Sequence, residues 1–229
     1  MIHLLSHILS EDDPPFPDSP TMRIKPFARI ENGDACNTSV IEIFNHVGTH
    51  MDAPKHFFNE GFSIAELPVD FFIFHKPLIL DIPLAAEQLL TKEMIYPFES
   101  EIRKCDLLCI RSGFAVKRNS DTLVYSSRGP GLSASLCKYF MDEFSNIKCI
   151  GIDWISVTSY PHLEDGILAH RYLMGTFHDR YITVIEELNL EKVYKRVIDK
   201  VIALPLFIKG VDSAPVTVIA FEDDTEKTE

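Results

Sequence analysis

HVGTHMDAPKH, residues 46–56, gathers three histidines and an aspartate into eleven positions of a chain with nine histidines in 229 residues. Gly48, Thr49 and Pro54 stop the segment from forming one regular helix. His46, His50 and Asp52 offer two neutral imidazoles and a carboxylate, the borderline nitrogen and oxygen set that suits Zn, Mn or Fe(II). His56 is then left over. Its unperturbed pKa near neutrality fits it to act as a general acid/base beside such an ion. The plain alternative is a polar surface turn that happens to be rich in histidine.

Upstream, Arg23 to Asn45 carries the stretches ARIENGDACN and TSVIEIFNH, which read as a hairpin turning near Asn32 and Gly33. The His-rich segment follows at the end of the second strand, where rigid backbone and the turn after it can aim several side chains at one point. Residues 2 to 9 read as a first strand, and EDDPPFPDSP as an extended, turn-rich connection. Downstream, a short helical pattern falls near Ser63 to Leu67. PLILDI (77–82), DLLCIR (106–111) and KCIGID (148–153) read as strands, with helix-biased stretches at 84–90 and 92–98. Ser133 is a sound N-cap for a helix running to about Phe144. KVIALPLFI and APVTVIAFE close the chain as strands joined by the loop KGVDSAP. This strand, helix, strand rhythm predicts a single α/β domain over residues 1–221, followed by a solvated acidic tail at 222–229.

A hydrophobic fraction of 46% supports a sizeable core, and the net charge of −12 argues against nucleic-acid binding. MIHLLSHILSEDDPP has no basic n-region, and its apolar run is broken by His3, Ser6 and His7, so neither a signal peptide nor a membrane anchor is expected there. No later stretch approaches the roughly 20 apolar residues that span a bilayer. Five cysteines without a regular framework fit reduced thiols and a cytoplasmic protein, with Cys105 and Cys109 packing in a buried strand.

HVGTHMDAPKH also matches, at every fixed position, the HxGTHxDxPxH signature of the cyclase family of metal-dependent hydrolases, which includes bacterial kynurenine formamidases and isatin hydrolases. LSHILSEDDPPFPDSP resembles the family's opening segment, with Asp18 where glycine is usual. IRSG and GPGLSASLCKYF are similar to two further segments, so the resemblance runs from Leu5 to about Val218. It implies an α/β fold with β-barrel-like mixed sheets and flanking helices, assembled as a homo-oligomer, a dimer or tetramer. It also implies that His46, His50 and Asp52 bind metal and that His56 acts in catalysis. A second histidine and a glutamate complete the family's metal site, and His170 in AHRYLM and Glu186 in VIEELNL match those positions. Glu186 is preferred to Glu187 because one residue and then leucine follow it, as in the family. Phe177 to Arg180 look like a short insertion, and Thr158 stands where an aspartate is frequent.

Such a site would hold one or two divalent ions, Zn or Mn, the second if Asp52 bridges and His170 and Glu186 ligate. The implied reaction is hydrolysis of a C–N amide bond in a small aromatic amide, N-formylkynurenine above all, with His56 protonating the leaving amine. Phe57 and Phe58, directly after His56, and the loop residue His162 are the candidate substrate contacts; base rates would otherwise place the two phenylalanines in the core. His7 and His178 are weaker candidates for the pocket. Asp153 and Glu164 are candidates to orient a ligating imidazole. An isatin-hydrolase-like or polyketide-cyclase-like activity on a cyclic amide or lactone shares these residues. A metal-binding module without catalysis is the alternative outside enzymes.

Overall fold

Period-two alternation divides the strand LLCIR, Leu107–Arg111, between two cores: Leu107 and Cys109 pack on one face, Leu108 and Ile110 on the other. The split recurs in neighbouring strands, with Ile79, Cys149 and Ile185 on the first face and Leu78, Ile150 and Val184 on the second. Strands covered on both faces read as continuous apolar runs, as these do in the sequence.

The computed structural model describes residues 1–193 and 198–222. Its strands are β1 (Ile2–Leu4), β2 (Arg23–Ala28), β3 (Thr38–Glu42), β4 (His50–Asp52), β5 (Ile73–Phe74), β6 (Pro77–Asp81), β7 (Leu89–Leu90), β8 (Leu107–Arg111), β9 (Gly131–Leu132), β10 (Cys149–Ile152), β11 (Thr183–Glu186), β12 (Lys200–Pro205) and β13 (Ser213–Phe221). The helices are α1 (Lys92–Ile95), α2 (Glu99–Ile102), α3 (Lys117–Ser120), α4 (Thr122–Ser127), α5 (Ala134–Glu143) and α6 (Leu163–Leu173).

Among the described residues, one mixed sheet takes the order β5-β12-β13-β4-β11-β10-β8-β6, with β1 added antiparallel to β13. β6, β8, β10 and β11 run parallel, as helical crossovers require, whereas β11, β4, β13, β12 and β5 pair antiparallel. The two ends of this order, β5 and β6, are separated in the chain only by His75 and Lys76. The sheet therefore curls almost closed. Asp106 holds the corner by accepting the backbone N–H groups of both linking residues, at 2.8 and 2.9 Å. Met51, Phe72, Phe74 and Val201 fill the inside of the curl, and α5 and α6 cover the outside through residues such as Phe140 and Leu173. This is the α/β, barrel-like architecture with flanking helices that the resemblance implied.

Several local expectations change. Residues 84–90 form no helix: the Gln88 side chain takes the Ala85 N–H, Glu87 sits at φ 63°, and Leu89–Leu90 pair with β9 instead. The stretch at 92–98 is α1 followed by a 3-10 turn, where Pro97 has no N–H to continue an α-helix. Ser133 caps α5 as expected, accepting the Leu136 N–H at 3.2 Å. Glu222 is not solvated tail but buried fold, 2.6 Å from His3 Nε2; residues 223–229 of the expected tail lie outside the described residues. No helix among the described residues is long and apolar enough to cross a membrane. Cys105 and Cys109 are both buried in the cores.

The hairpin β2–β3 forms with its turn at Ile30–Asn32 and Gly33, but it stands apart from the main sheet. Its strands are exposed along nearly their whole length, including Ile24, Phe27, Val40 and Ile41. The His-rich segment consequently does not finish this hairpin. His50 and Asp52 lie on β4, a strand of their own in the middle of the main sheet.

Candidate metal centre

The pleat of β4 sends Met51 into the core inside the curl and turns His50 and Asp52 to the other face. Glu186 of β11 is the register partner of His50, and Ser213 of β13 is that of Asp52. The site is thus built across three adjacent strands, with α6 bringing His170 over them.

The side chains converge closely. His50 Nε2 lies 3.2 Å from Glu186 Oε2 and 3.6 Å from Asp52 Oδ1, and His46 Nδ1 lies 3.1 Å from the same Asp52 oxygen. His170 Nε2 stands 3.7 Å from Glu186 Oε1 and 4.0 Å from Asp52 Oδ2. His50, Asp52, Glu186 and His170 are all buried, while His46 and His56 keep an edge toward solvent.

Local bonds decide which nitrogen each buried imidazole presents. The Nδ1–H of His50 donates to the Gly48 carbonyl at 2.7 Å, and that of His170 to the Gly166 carbonyl at 2.9 Å. Both rings therefore turn a bare Nε2 inward, as metal-binding histidines held by a carbonyl do. Gly48 suits this turn, chiefly by its positive φ. Its φ is 60°, and a Cβ would fall 2.4 Å from Leu9 Cδ2. Thr158, at the position where the family often has aspartate, places its hydroxyl 3.2 Å from His170 Nδ1 and packs against Gly166, so it helps to seat that ring.

The electrostatics are those of an anionic cup. Burial works against charge on His46, yet the Asp52 and Asp212 carboxylates push its pKa up to about 10. Burial and the Asp52 charge likewise oppose ionisation of Glu186, but the neighbouring His170 and His50 imidazoles bring its pKa down to about 2. Its Oε1 also accepts the Val157 N–H at 2.7 Å and the Ser156 hydroxyl at 3.0 Å. In contrast, His50 Nε2 and both Asp52 oxygens are buried without a hydrogen-bond partner among the described residues. A buried carboxylate with two unsatisfied oxygens is costly unless a cation meets it. Two overlapping donor groups, His46–Asp52–His56 and His50–Asp52–Glu186, have ligand atoms within 4.8 Å of one another. These donors fit a divalent ion, or two sharing Asp52.

The profile of the putative cyclase family matches residues 4–159. The chain belongs to that family. A kynurenine formamidase of Bacillus thuringiensis is 27% identical to it over 218 residues, covering 94% of each chain. An uncharacterised protein of Haemophilus influenzae is 34% identical over 119 residues, 52% of this chain and 83% of that protein. Isatin hydrolase A from Labrenzia aggregata, solved bound to benzyl benzoate, has the same fold: its TM-score is 0.81 at 23% identity, covering 96% of this chain and 93% of that one.

In this cyclase-family chain the sequence candidates separate. His46, His50, Asp52, His56, His170 and Glu186 meet at one place. Phe57 lines the adjoining cavity of about 250 Å³ and stacks on His170, centroids 4.5 Å apart. Phe58 does not share it: past the 3-10 turn Pro54–His56 it faces a separate cavity with Phe62 and Tyr181. His162 is exposed in the turn before α6, outside the cavity, and Glu164 is exposed beside it. His178 pairs with Asp142, 3.0 Å away, on the outer surface. Asp153 orients no imidazole. It accepts from the N–H and hydroxyl of Ser112 and from the Gly113 N–H.

Glu187 points away from the centre. At φ 55° it turns the chain after β11, and its carboxylate meets Arg118 at 3.0 Å, which in turn reaches Asp13 at 2.7 Å. Burial lifts the Glu187 pKa to about 7 although Arg118 opposes the rise. His7 lies beside this buried cluster, its pKa lowered to about 4 by burial and by Arg118. The apparent insertion also has a structural use: the Arg180 guanidinium donates to carbonyls of Phe140, Met141, Phe144 and Ile147, satisfying the end of α5. One residue of the site went unnoticed in the sequence, Asp212 in KGVDSAP, which binds both His46 and His56.

Proposed function

We propose that this chain is a metal-dependent hydrolase acting on a C–N amide bond of a small aromatic substrate, an arylformamidase or a close relative. The observation that carries the reading is the set of buried, unbonded polar atoms on His50 and Asp52, beside His46, His170 and Glu186, which line a cavity walled by Phe16, Phe44 and Phe57. A volume of about 250 Å³ suits one aromatic ring with a short substituent or a fused bicycle. The 27% identity to a kynurenine formamidase along nearly the whole chain supports the formyl amide over other substrates.

His46, His50 and Asp52 would hold the ion, with Glu186 and His170 completing the donor set, and Zn or Mn suits these atoms. A divalent ion there supplies Lewis-acid polarisation of the amide carbonyl and activation of water. The aromatic walls seat the ring of the substrate and exclude bulk water. Glu186, held ionised by its imidazole neighbours, accepts hydrogen bonds next to the reacting carbonyl. His56, partly exposed at the cavity wall, carries a proton to the departing amine. A closed structural metal site would have no use for this open wall and additional imidazole.

Protein loaded with Zn or Mn should hydrolyse N-formylkynurenine, and isatin more slowly, in a panel that also contains an aryl lactone. Preference for isatin or the lactone would move the assignment to the isatin-hydrolase-like or polyketide-cyclase-like reading. No turnover of any member by either metal form would sink the hydrolase.

The same reading includes a homo-oligomer. A two-stranded ribbon is marginal alone in water, yet β2–β3 leaves Ile24, Phe27, Val40 and Ile41 exposed on both strands. Light scattering should give a mass at least twice that of the 26.1 kDa chain, and a monomer at micromolar concentration would contradict this.

A further inference from the structure

Asp212 lies 166 residues after His46 and 156 after His56, yet one of its oxygens serves both rings. Its Oδ2 is 2.9 Å from His46 Nε2 and 2.8 Å from His56 Nδ1. The other oxygen accepts the Asn45 side-chain N–H at 2.8 Å, and the Asp212 backbone carbonyl accepts the Ala53 N–H at 2.9 Å. The carboxylate is thereby fixed by Asn45, just before the His-rich segment, and its backbone by Ala53 within it. It also holds the two rings face to face, 4.2 Å apart and tilted by 35°.

A carboxylate accepts and does not donate, so the nitrogen of each ring that faces Asp212 carries the proton. The opposite nitrogen is then the one left to work. For His46 this is Nδ1, 3.1 Å from Asp52 Oδ1; it too faces a carboxylate, so it would carry a proton that an ion bound by Asp52 would displace. For His56 it is Nε2. His50 is oriented the other way round, because its Nδ1–H is taken by Gly48.

We propose that Asp212 is a shared positioning residue that sets the working nitrogen of two histidines at once, His46 Nδ1 toward the metal and His56 Nε2 toward the substrate. The proposal rests on His46 being a ligand and His56 the proton carrier. It adds an opposite-handed pair of ligands, His46 through Nδ1 and His50 through Nε2, and a link by which the ligand and the acid/base cannot be reoriented separately. Orienting carboxylates of this kind are worth about 10- to 100-fold in metal affinity or activity.

The test uses full-length protein with ¹⁵N-labelled histidine, loaded with ¹¹³Cd as a spectroscopic stand-in for Zn. In the wild type, cadmium should couple to Nδ1 of His46 and to Nε2 of His50, and His56 should show the Nδ1–H form without coupling. Asp212→Ala should weaken Cd binding by about 10- to 100-fold, abolish the His56 Nδ1–H signature and lower kcat more than KM, while the His50 coupling persists as a control for folding. Asp212→Asn, which keeps an acceptor oxygen, should fall between the two. Coupling to His46 Nε2 in the wild type would overturn the proposal while leaving the metal site standing. So would unchanged His46 and His56 signals in Asp212→Ala. Absence of coupling to His46 and His50 alike would remove the metal-site reading itself and the proposal with it.

Discussion

His56→Ala is expected to bind metal nearly as tightly as the wild type and to lose about 10² to 10⁴ in kcat, the usual value of a positioned proton donor. The assignment turns on exposure and on partners. His56 keeps about a quarter of its side chain open, lines the cavity, and spends its Nδ1 on Asp212. The competing assignment is specific: ligand atoms of His46, Asp52 and His56 approach within 4.8 Å, so His56 is also a conceivable third ligand. Metal content and turnover separate the two. A ligand would lose both in parallel, whereas an acid/base loses turnover with its metal retained. Unchanged turnover on the best substrate would exclude His56 from the chemistry altogether.

Asp52→Ala should lose more than the 10- to 100-fold in metal affinity that an orienting partner is worth, because Asp52 is the carboxylate common to both donor groups. Burial opposes its ionisation, but His56, His46 and His50 together hold its pKa well below the usual carboxylate range. The metal-free variant should remain folded, since neither Asp52 oxygen has a hydrogen-bond partner among the described residues and the backbone pairs of β4 survive the change. Thermal denaturation with and without Zn reads both effects. At a Zn concentration a thousandfold above Kd the wild type gains about 4 kcal/mol, and the variant should gain almost nothing. Full occupancy in Asp52→Ala would refute the central ligand.

The parts of this site that lie close together in the chain were readable from residue types. HVGTHMDAPKH carries its donors on a turn and a three-residue strand, and a strand's two-residue period puts His50 and Asp52 on one side wherever the strand sits. His170 and Glu186 could be named only through resemblance, because what brings Glu186 opposite His50 is a strand pairing more than a hundred residues long. Asp212 had no signal at all: an aspartate between Val211 and Ser213 in a connecting loop looks like any turn residue. Phe58 and His162 failed for a related reason. Nearness in sequence says nothing about direction: Phe57 and Phe58 are adjacent yet line different cavities, and His162 lines neither of them. The helix expected at 84–90 was lost to long-range partners, the Arg128 carbonyl and the β9 strand, that local propensity does not register.

β4 has only three residues, and its middle one belongs to a different interior from the other two. Met51 is a keel: sealed inside the curl, it forbids the strand from sliding by a single position, since a slip would drive His50 and Asp52 into oil and float a methionine among the carboxylates. The spacing between the two donors is therefore enforced from behind. A deletion or insertion of one residue here would not merely loosen the grip on an ion; it would exchange the wet and dry sides of the sheet at its midpoint. The cavity walls are tied to the same hull, since Phe16 and Phe57 line the cavity and also pack against the core outside the curl.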